Sequence, residues 1–419
     1  MIRMKSFQRF RDEGGRIRLA AALIGALLAV IAGHLALDRL GGGLVNLSYD
    51  VPFLAHHGGV QGDIAIVYVD EMDGGSLDRR NHAKLIDALG KKGVKAVIYD
   101  IVFDRQAKDA AVDEEFVAAL KRFRGVDAEG NAIPGANRGI VMLACGRENL
   151  HDSGFSGEKL LVPIDVLLDA TDDFGLVTVP HDSRFTVRRL STGTRDEPSV
   201  TWKMAAALGV PLQEEARLQE RWINFAGPPV SPASGLTPAI PAYNQRSVIG
   251  GDVRGLDGES IVIIGGRPGL AGSAAGTDLF ATPFHFIDHV GKTPLMSGVE
   301  LQANLLSNLM RGDWLTRSSP RFESMLVIVA GVLAGLLFSF TRPALAPAVA
   351  VVGMVVLALA GTLALHFRGW WFPWAVVAFA QVPVALVWGT TSHYYVERFL
   401  RRRGDGFKRF RVEIGQAFI

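Results

Sequence analysis

Four long apolar runs decide what this chain can become. A helix needs roughly 20 apolar residues to cross about 30 Å of hydrocarbon. Leu19 to Leu37, Met325 to Phe340, Ala344 to Leu365 and Phe372 to Thr390 meet that need. His34 is the one strongly polar residue of the first run, and the second is slightly short but free of charge. No other stretch qualifies, so one span is expected before a long central segment and three after it. The 49% hydrophobic content of the 419 residues, apolar for a soluble enzyme, agrees with this.

Charge asymmetry sets the direction of the spans. The formal net charge is only +2, but it hides two basic ends. Arg3, Lys5, Arg9, Arg11, Arg16 and Arg18 precede the first run; Arg398, Arg401, Arg402, Arg403, Lys408, Arg409 and Arg411 follow the last. Excess Lys and Arg marks the cytoplasmic side. Both termini are therefore expected in the cytoplasm, which requires an even number of spans. Arg342, between the second and third runs, falls on the same side. The turn from Phe367 to Trp371 falls outside, where Trp370, Trp371 and Trp374 suit an interfacial aromatic belt. The expected layout is a cytoplasmic basic tail over residues 1–18, a transmembrane anchor over 19–37, an extracytoplasmic domain over 38–322, a three-helix transmembrane bundle over 323–393 and a cytoplasmic basic stub over 394–419. Such a chain is a multi-pass protein of the cell inner membrane. Reading the first run as a cleaved signal peptide meets an obstacle: no clean small-x-small site precedes a polar mature start. Basic runs beside spans touch anionic lipid, so membrane lipid is an expected partner and nucleic acid is not. Gly25, Ala29 and Gly33, and Gly331 and Gly335, recur at four-residue spacing. Such faces let helices approach closely, either within one bundle or along a homodimer seam.

The central segment alternates strand and helix patterns. Asp63 to Asp70 is a short β-branched apolar run and predicts a buried strand. Asn81 to Lys92 has helical spacing, with Leu85, Ile86 and Leu89 on one face and Gly93 at its end. Val94 to Asp100 predicts a second strand, parallel to the first through a right-handed crossover. Asp113 to Arg122 predicts a helix and Gly139 to Ala144 a third strand. Leu176 to Val179 and Thr186 to Leu190 suggest a hairpin around His181 to Ser183. Trp202 to Leu208 has a helical pattern, Ser260 to Gly265 predicts another buried strand, and Val299 to Met310 an amphipathic helix. The fold class expected is α/β: a mixed, largely parallel sheet in an extracytoplasmic domain, plus four transmembrane helices, one before and three after. Cys145 is the single cysteine, so no intrachain disulfide and no multi-cysteine metal site can form. Burial must hold the core, which a domain of this size achieves.

Ligands of open α/β sheets bind beyond the carboxyl ends of strands. Asp70 and Glu71 close the first strand, Asp100 and Asp104 follow the second, and Gly265 and Gly266 end a later one, with Asp278 and Thr282 downstream. The candidate ligand-binding residues are Asp70, Glu71, Arg80, Asp100, Asp104, Gly265, Asp278 and Thr282. Carboxylates beside a glycine turn suit a cation, an amine or a polar small molecule, with Arg79 and Arg80 as counter-charges. The competing reading is that the aspartates cap loops and helices. No catalytic motif is present: there is no Gly-x-Ser-x-Gly, no His-Glu-x-x-His and no Walker-type Gly-Lys-Ser/Thr. Gly265 to Gly269 reads as a tight turn, because Pro268 lacks a backbone donor. His56, His57 and His82 have no metal-ligand spacing and read as structural or surface residues; Cys145 reads as core. No catalytic residue, metal or cofactor is expected.

One ordered series of landmarks remains. "IVYVDE" ends in Asp70-Glu71; Arg80-Asn81-His82 leads into "KLIDALGKKGVKAVIYDIVF"; then come "FGLVTVPHDSRFTVRRL", "WINFAG", "LDGESIVIIGG", "DLFATPF" and "SGVELQANLLSNLMRGDWL", and "GWWFPW" precedes the last span. The series resembles the second type of CHASE domain, an extracytoplasmic sensory module of bacterial signalling receptors, over roughly residues 40 to 395. One span before and three after is also similar to that family. A departure lies before the first helix, where the family's Trp-Pro-Trp-Pro-like stretch is replaced by Leu-Asp-Arg-Arg-Asn. The resemblance implies a transmembrane signal-input receptor. Its outer domain would sense a small-molecule or protein ligand of unknown identity and relay it through the spans to a cytoplasmic output module, such as a cyclase or kinase. Residues 394–419 are too few for such a module, so the chain is expected to be a fragment or to act through a separate partner; the apolar Phe418-Ile419 end favours a fragment. The alternative function is a membrane-anchored scaffold that docks another envelope protein. An extracytoplasmic hydrolase is a third idea, for which no motif proposes a nucleophile and base.

Overall fold

The computed structural model describes residues 2–39, 42–55, 63–69, 78–136, 138–152, 155–182, 186–229, 239–266, 278–286 and 295–416. The chain divides into two compact units, Met1–Pro52 with Arg317–Ile419, and Phe53–Thr316. A short helix, Gly43–Asp50, falls in the same unit as the long apolar helices.

The globular unit is a mixed α/β fold. Its elements in chain order are β1 (Ile64–Val69), α1 (Arg79–Lys91), β2 (Ala96–Tyr99), α2 (Ala110–Arg124), β3 (Ile140–Asp152), β4 (Phe155–Leu161), β5 (Asp173–Leu176), α3 (Val200–Ala207), β6 (Ala242–Asn244), α4 (Gln245–Gly250), β7 (Ile261–Gly266), β8 (Leu279–Phe280), β9 (Met296–Ser297) and α5 (Gly298–Arg311). Among the described residues β1 to β7 make one sheet, ordered β4-β3-β2-β7-β1-β6, with β5 beside β3. All pairs are parallel except β3 with β4. β1 and β2 are buried throughout, as strands covered on both faces must be.

Sequence spacing located most of these elements but not their neighbours. β1 and β2 are parallel yet not adjacent, because β7 lies between them. Its Ile-Val-Ile-Ile core is wholly buried, so the middle of the sheet is where it loses most water contact. β3 runs past the expected Ala144 to Asp152, since its second half pairs antiparallel with β4 (Gly146 opposite Leu161). Leu176 belongs to β5, parallel to β3, so the expected hairpin reduces to a bridge between His181 and Val187. Residues 183–185 lie outside the described residues.

One sheet face packs on α1, α2 and α4 through Val67, Leu85, Leu89, Val97, Phe116 and Val262. Asp78 caps α1 by accepting from the Arg80 N–H at 3.0 Å, and Asp109 caps α2 by accepting from the Ala111 N–H at 3.1 Å. The opposite face carries α5, which is buried from Gly298 to Leu309. A helix buried on all sides would be expected to be apolar, yet this one carries Glu300, Gln302, Asn304, Ser307 and Asn308 inside. Three of these satisfy irregular backbone. Asn308 accepts from the Asn224 N–H at 2.8 Å and donates to the Asn224 carbonyl at 2.9 Å. Asn304 accepts from the Ala226 N–H at 2.9 Å, and Gln302 donates to the Val177 carbonyl at 2.8 Å.

In the other unit four helices are long and apolar enough to cross a membrane: Gly15–Asp38, Pro320–Phe340, Ala346–Arg368 and Trp374–Phe399. The small-residue faces are consumed inside this bundle. Gly335 lies against Ala26, Gly25 faces Trp388 and Gly331 faces Val30, at distances that leave no room for a Cβ. These glycines serve close packing between helices of one chain, the first of the two readings their spacing offers. The aromatic belt is also revised. Trp371 and Trp374 are buried, Trp371 beside Tyr49 at a 5.7 Å ring separation, with Trp374 donating to the Ser48 carbonyl at 3.0 Å. Helix Gly43–Asp50 covers them, so packing replaces lipid headgroups.

Candidate ligand site at the carboxyl rim of the sheet

Register brings the rim together. Tyr68 of β1 lies opposite Gly265 of β7, and the Asp100 N–H, just past β2, donates to the Ile264 carbonyl at 2.7 Å. Tyr68 and Asp100 thus flank the end of β7 from its two sides. The helices after β1 and β2 cover one face of the sheet, and the helix after β7 covers the other. In open α/β sheets the carboxyl ends of parallel strands, where connections diverge this way, are where ligands are expected to bind.

The start of α5 forms the rim's wall. Ser297 is its N-cap in a reciprocal capping box with Glu300. The Ser297 N–H and Oγ donate to Glu300 Oε2 at 2.9 and 2.8 Å, and the Tyr68 hydroxyl lies 3.4 Å from Ser297 Oγ. β8 pairs with β9 (Leu279 opposite Ser297), and the Gly298 N–H donates to the Asp278 carbonyl at 3.1 Å. The Asp278 side chain lies against Gly298, at the positive end of α5.

Two carboxyls here are shifted upward. Burial, and then the neighbouring Asp278 charge, push Asp100 up to about 8. Asp278 is exposed as a whole residue, yet the protein around its carboxyl pushes it up to about 6, against the opposing pull of the Gly298 N–H. Neither has an ion-pair partner among the described residues. A positive ligand would relieve both at once, and so would a donor to a neutral acid. Among the described residues no three His, Cys, Asp or Glu side chains are grouped to hold a metal.

The other expected residues scatter. Asp70 and Glu71 lie outside the described residues, as do His56 and His57. Arg80 pairs with Asp109 at 3.1 Å, both exposed. Arg79 is buried against Asp113 and the Arg105 carbonyl. Neither arginine serves as a counter-charge to Asp100 or Asp278. Asp104 is half-buried, 3.6 Å from Arg105. Gly265 is covered rather than open, because α5 presses on it: a Cβ there would stand 2.8 Å from Val299 Cβ. Thr282 is fully buried behind β8. His82 packs among Tyr99, Phe103 and Phe116, and burial, then Arg79, lower it to about 4. Burial pushes the Cys145 thiol up to about 11, as suits a core residue. Sequence reasoning missed Tyr68, Ser297 and Glu300. The Ser-x-x-Glu spacing of Ser297 and Glu300 was the available signal.

A family model described as the CHASE2 domain matches residues 21–337, most of the chain. The chain belongs to the CHASE2 domain family. CHASE2 is an extracytoplasmic sensory domain family of signalling receptors, and this member is a membrane protein with four candidate spans. No match was found among curated proteins or among solved structures. Several landmarks of this CHASE2 chain are structural: Asn304 and Asn308 of "ELQANLLSNLM" hold the backbone of "WINFAG" at Ala226 and Asn224. In "HDSRFTVRRL", Asp182 accepts from Arg188 at 2.7 Å and from the Thr186 N–H at 2.9 Å.

Proposed function

We propose that this CHASE2 chain is the input part of a transmembrane receptor that senses a small cationic or amine-bearing ligand at the Asp100–Asp278 rim. The observation that carries the reading is the pair of upward-shifted carboxyls, without ion-pair partners among the described residues, where the connections of the sheet diverge. In this reading both basic ends lie in the cytoplasm, residues 38–322 face outward and the spans relay the signal to a cytoplasmic output module. The chain itself catalyses nothing. A ligand moves such a receptor only by binding two states unequally.

The test uses the full chain in lipid nanodiscs with a panel of small amines and divalent cations. The expected result is a thermal shift with at least one of them that disappears in Asp100→Asn with Asp278→Asn. A shift that survives the double substitution removes the rim from consideration, and no shift with any compound counts against a cationic ligand.

One observation favours the scaffold as a second reading. An open, largely apolar groove of about 520 Å³ runs along α2, lined by Ala110, Val117, Ala118, Val126 and Val166. Apolar grooves of this kind suit docking. Photo-crosslinking from Val166, 46% exposed, to an envelope protein in cells would support it.

A further inference from the structure

The fourth span departs from α-helical order once. Val377–Gln381 is a π-helical turn set between Trp374–Val376 and Val382–Gln416. Pro383 supplies a reason: it has no N–H for the Phe379 carbonyl and its ring crowds that carbonyl. A wide turn carries one extra residue, and such turns recur at functional sites in helices.

Gln381 closes this turn and is fully buried. Its Nε2 donates to the Ala29 carbonyl of the first span at 3.2 Å and to the Val327 carbonyl of the second at 2.7 Å. Glycines make the space, since a Cβ on Gly33 or Gly331 would stand 2.5 or 2.9 Å from Nε2. The amide therefore ties three helices at one level. Its Oε1 is buried with no hydrogen-bond partner among the described residues. An unpaired acceptor in an apolar interior is costly. A side chain selected only to lock the bundle would use both ends of its amide. This one uses its donors, leaves its acceptor unspent and sits at the widened turn.

We propose that Gln381 is a register latch: it holds the fourth span in the wide-turn register, and its release lets the turn close to α-helix and rotate the cytoplasmic half of that span. Closing the turn removes one residue's excess, which is a rotation of about 100° and a rise of about 1.5 Å. A group on the helix surface, about 5 Å from the axis, then moves by about 8 Å. Trp388, whose Nε1 donates to the Ala21 carbonyl at 2.7 Å, leaves its place on the first span. The latch deepens the receptor reading by giving its relay a mechanism. Its test needs neither ligand nor output module, so failure here leaves the rim site standing, and loss of the rim site leaves the latch standing.

Leu23 and Val387 face outward from the first and fourth spans, 58% and 65% exposed. Spin labels at Leu23→Cys and Val387→Cys, in a Cys145→Ser background of the full chain in nanodiscs, report the register by pulsed electron–electron distance measurement. The unlatched register should appear with Gln381→Met, which keeps volume and loses the amide, as a second distance displaced by several ångströms. Deletion of Ala378 takes out the extra residue itself, so the turn closes with Val387 kept in place and the original distance alone should appear. An unchanged single distance with Gln381→Met, or a displaced distance in the deletion, overturns the latch. Should Gln381→Met not insert, Gln381→Asn, one methylene too short to reach both carbonyls, is read the same way: a second distance supports the latch and an unchanged one overturns it.

Discussion

Asp100 shows how one residue's role depends on what surrounds it. In the sequence it is an aspartate after a strand, a place where capping is common. In the structure burial and Asp278 push it up to about 8 from 3.8. The folded state then holds a proton that the unfolded chain releases. The sign follows: this contribution to stability is fully present below about pH 4 and is lost as the pH rises through about 8. The thermal midpoint of the full chain should therefore fall between those limits, and Asp100→Asn should flatten the fall. At the alkaline end the variant should melt several degrees higher, because a tenfold change in proton affinity is worth ~1.4 kcal/mol. An identical pH profile in the two proteins would show that Asp100 does not hold the proton. The same residue illustrates what the sequence hid: Asp278 is remote in the chain, and only the β8–β9 pairing and α5 bring it near.

At the scale of elements, α5 and β7 are the decisive pair. A continuous apolar run for β7 and helically spaced apolar residues for α5 made both legible as patterns. Their contact was not. Gly265 read as the start of a tight turn and a candidate ligand residue; the structure adds that Val299 packs on it. Gly265→Ala should overpack that contact and cost about 1–3 kcal/mol, read as a lower midpoint in thermal unfolding with the sheet otherwise retained. A midpoint equal to that of the unsubstituted chain would mean α5 can move aside. The elements that escaped notice, β4, β6, β8, β9 and α4, are short or polar. β6 is three half-buried residues whose strand character comes from pairing with Ile66, Val67 and Tyr68 of β1. Local pattern cannot reveal a strand that exists because a partner edge was open.

At the scale of the whole molecule, the span positions followed from hydropathy, and the basic ends set an expectation for their direction. That direction is open to a simple experiment. With Cys145 buried, a cysteine at Leu218, 52% exposed in the globular unit, should react with a membrane-impermeant maleimide added to cells with a permeable outer layer. One at Arg411, in the basic tail, should react only after lysis. The reverse pattern would invert the molecule and take the receptor proposal with it.

The sequence by itself determined the four apolar helices, the α/β alternation between them and the membership of the family. Each of these is written in local composition and period, which a chain carries before it folds. Tertiary structure decided that β7 divides β1 from β2, that the glycine faces pack within one bundle, that Asn304 and Asn308 hold the backbone at Ala226 and Asn224, and that Asp100 and Asp278 share a rim. Those are outcomes of long-range burial and pairing. They depend on which distant surfaces exclude water together, and no window of neighbouring residues contains that information.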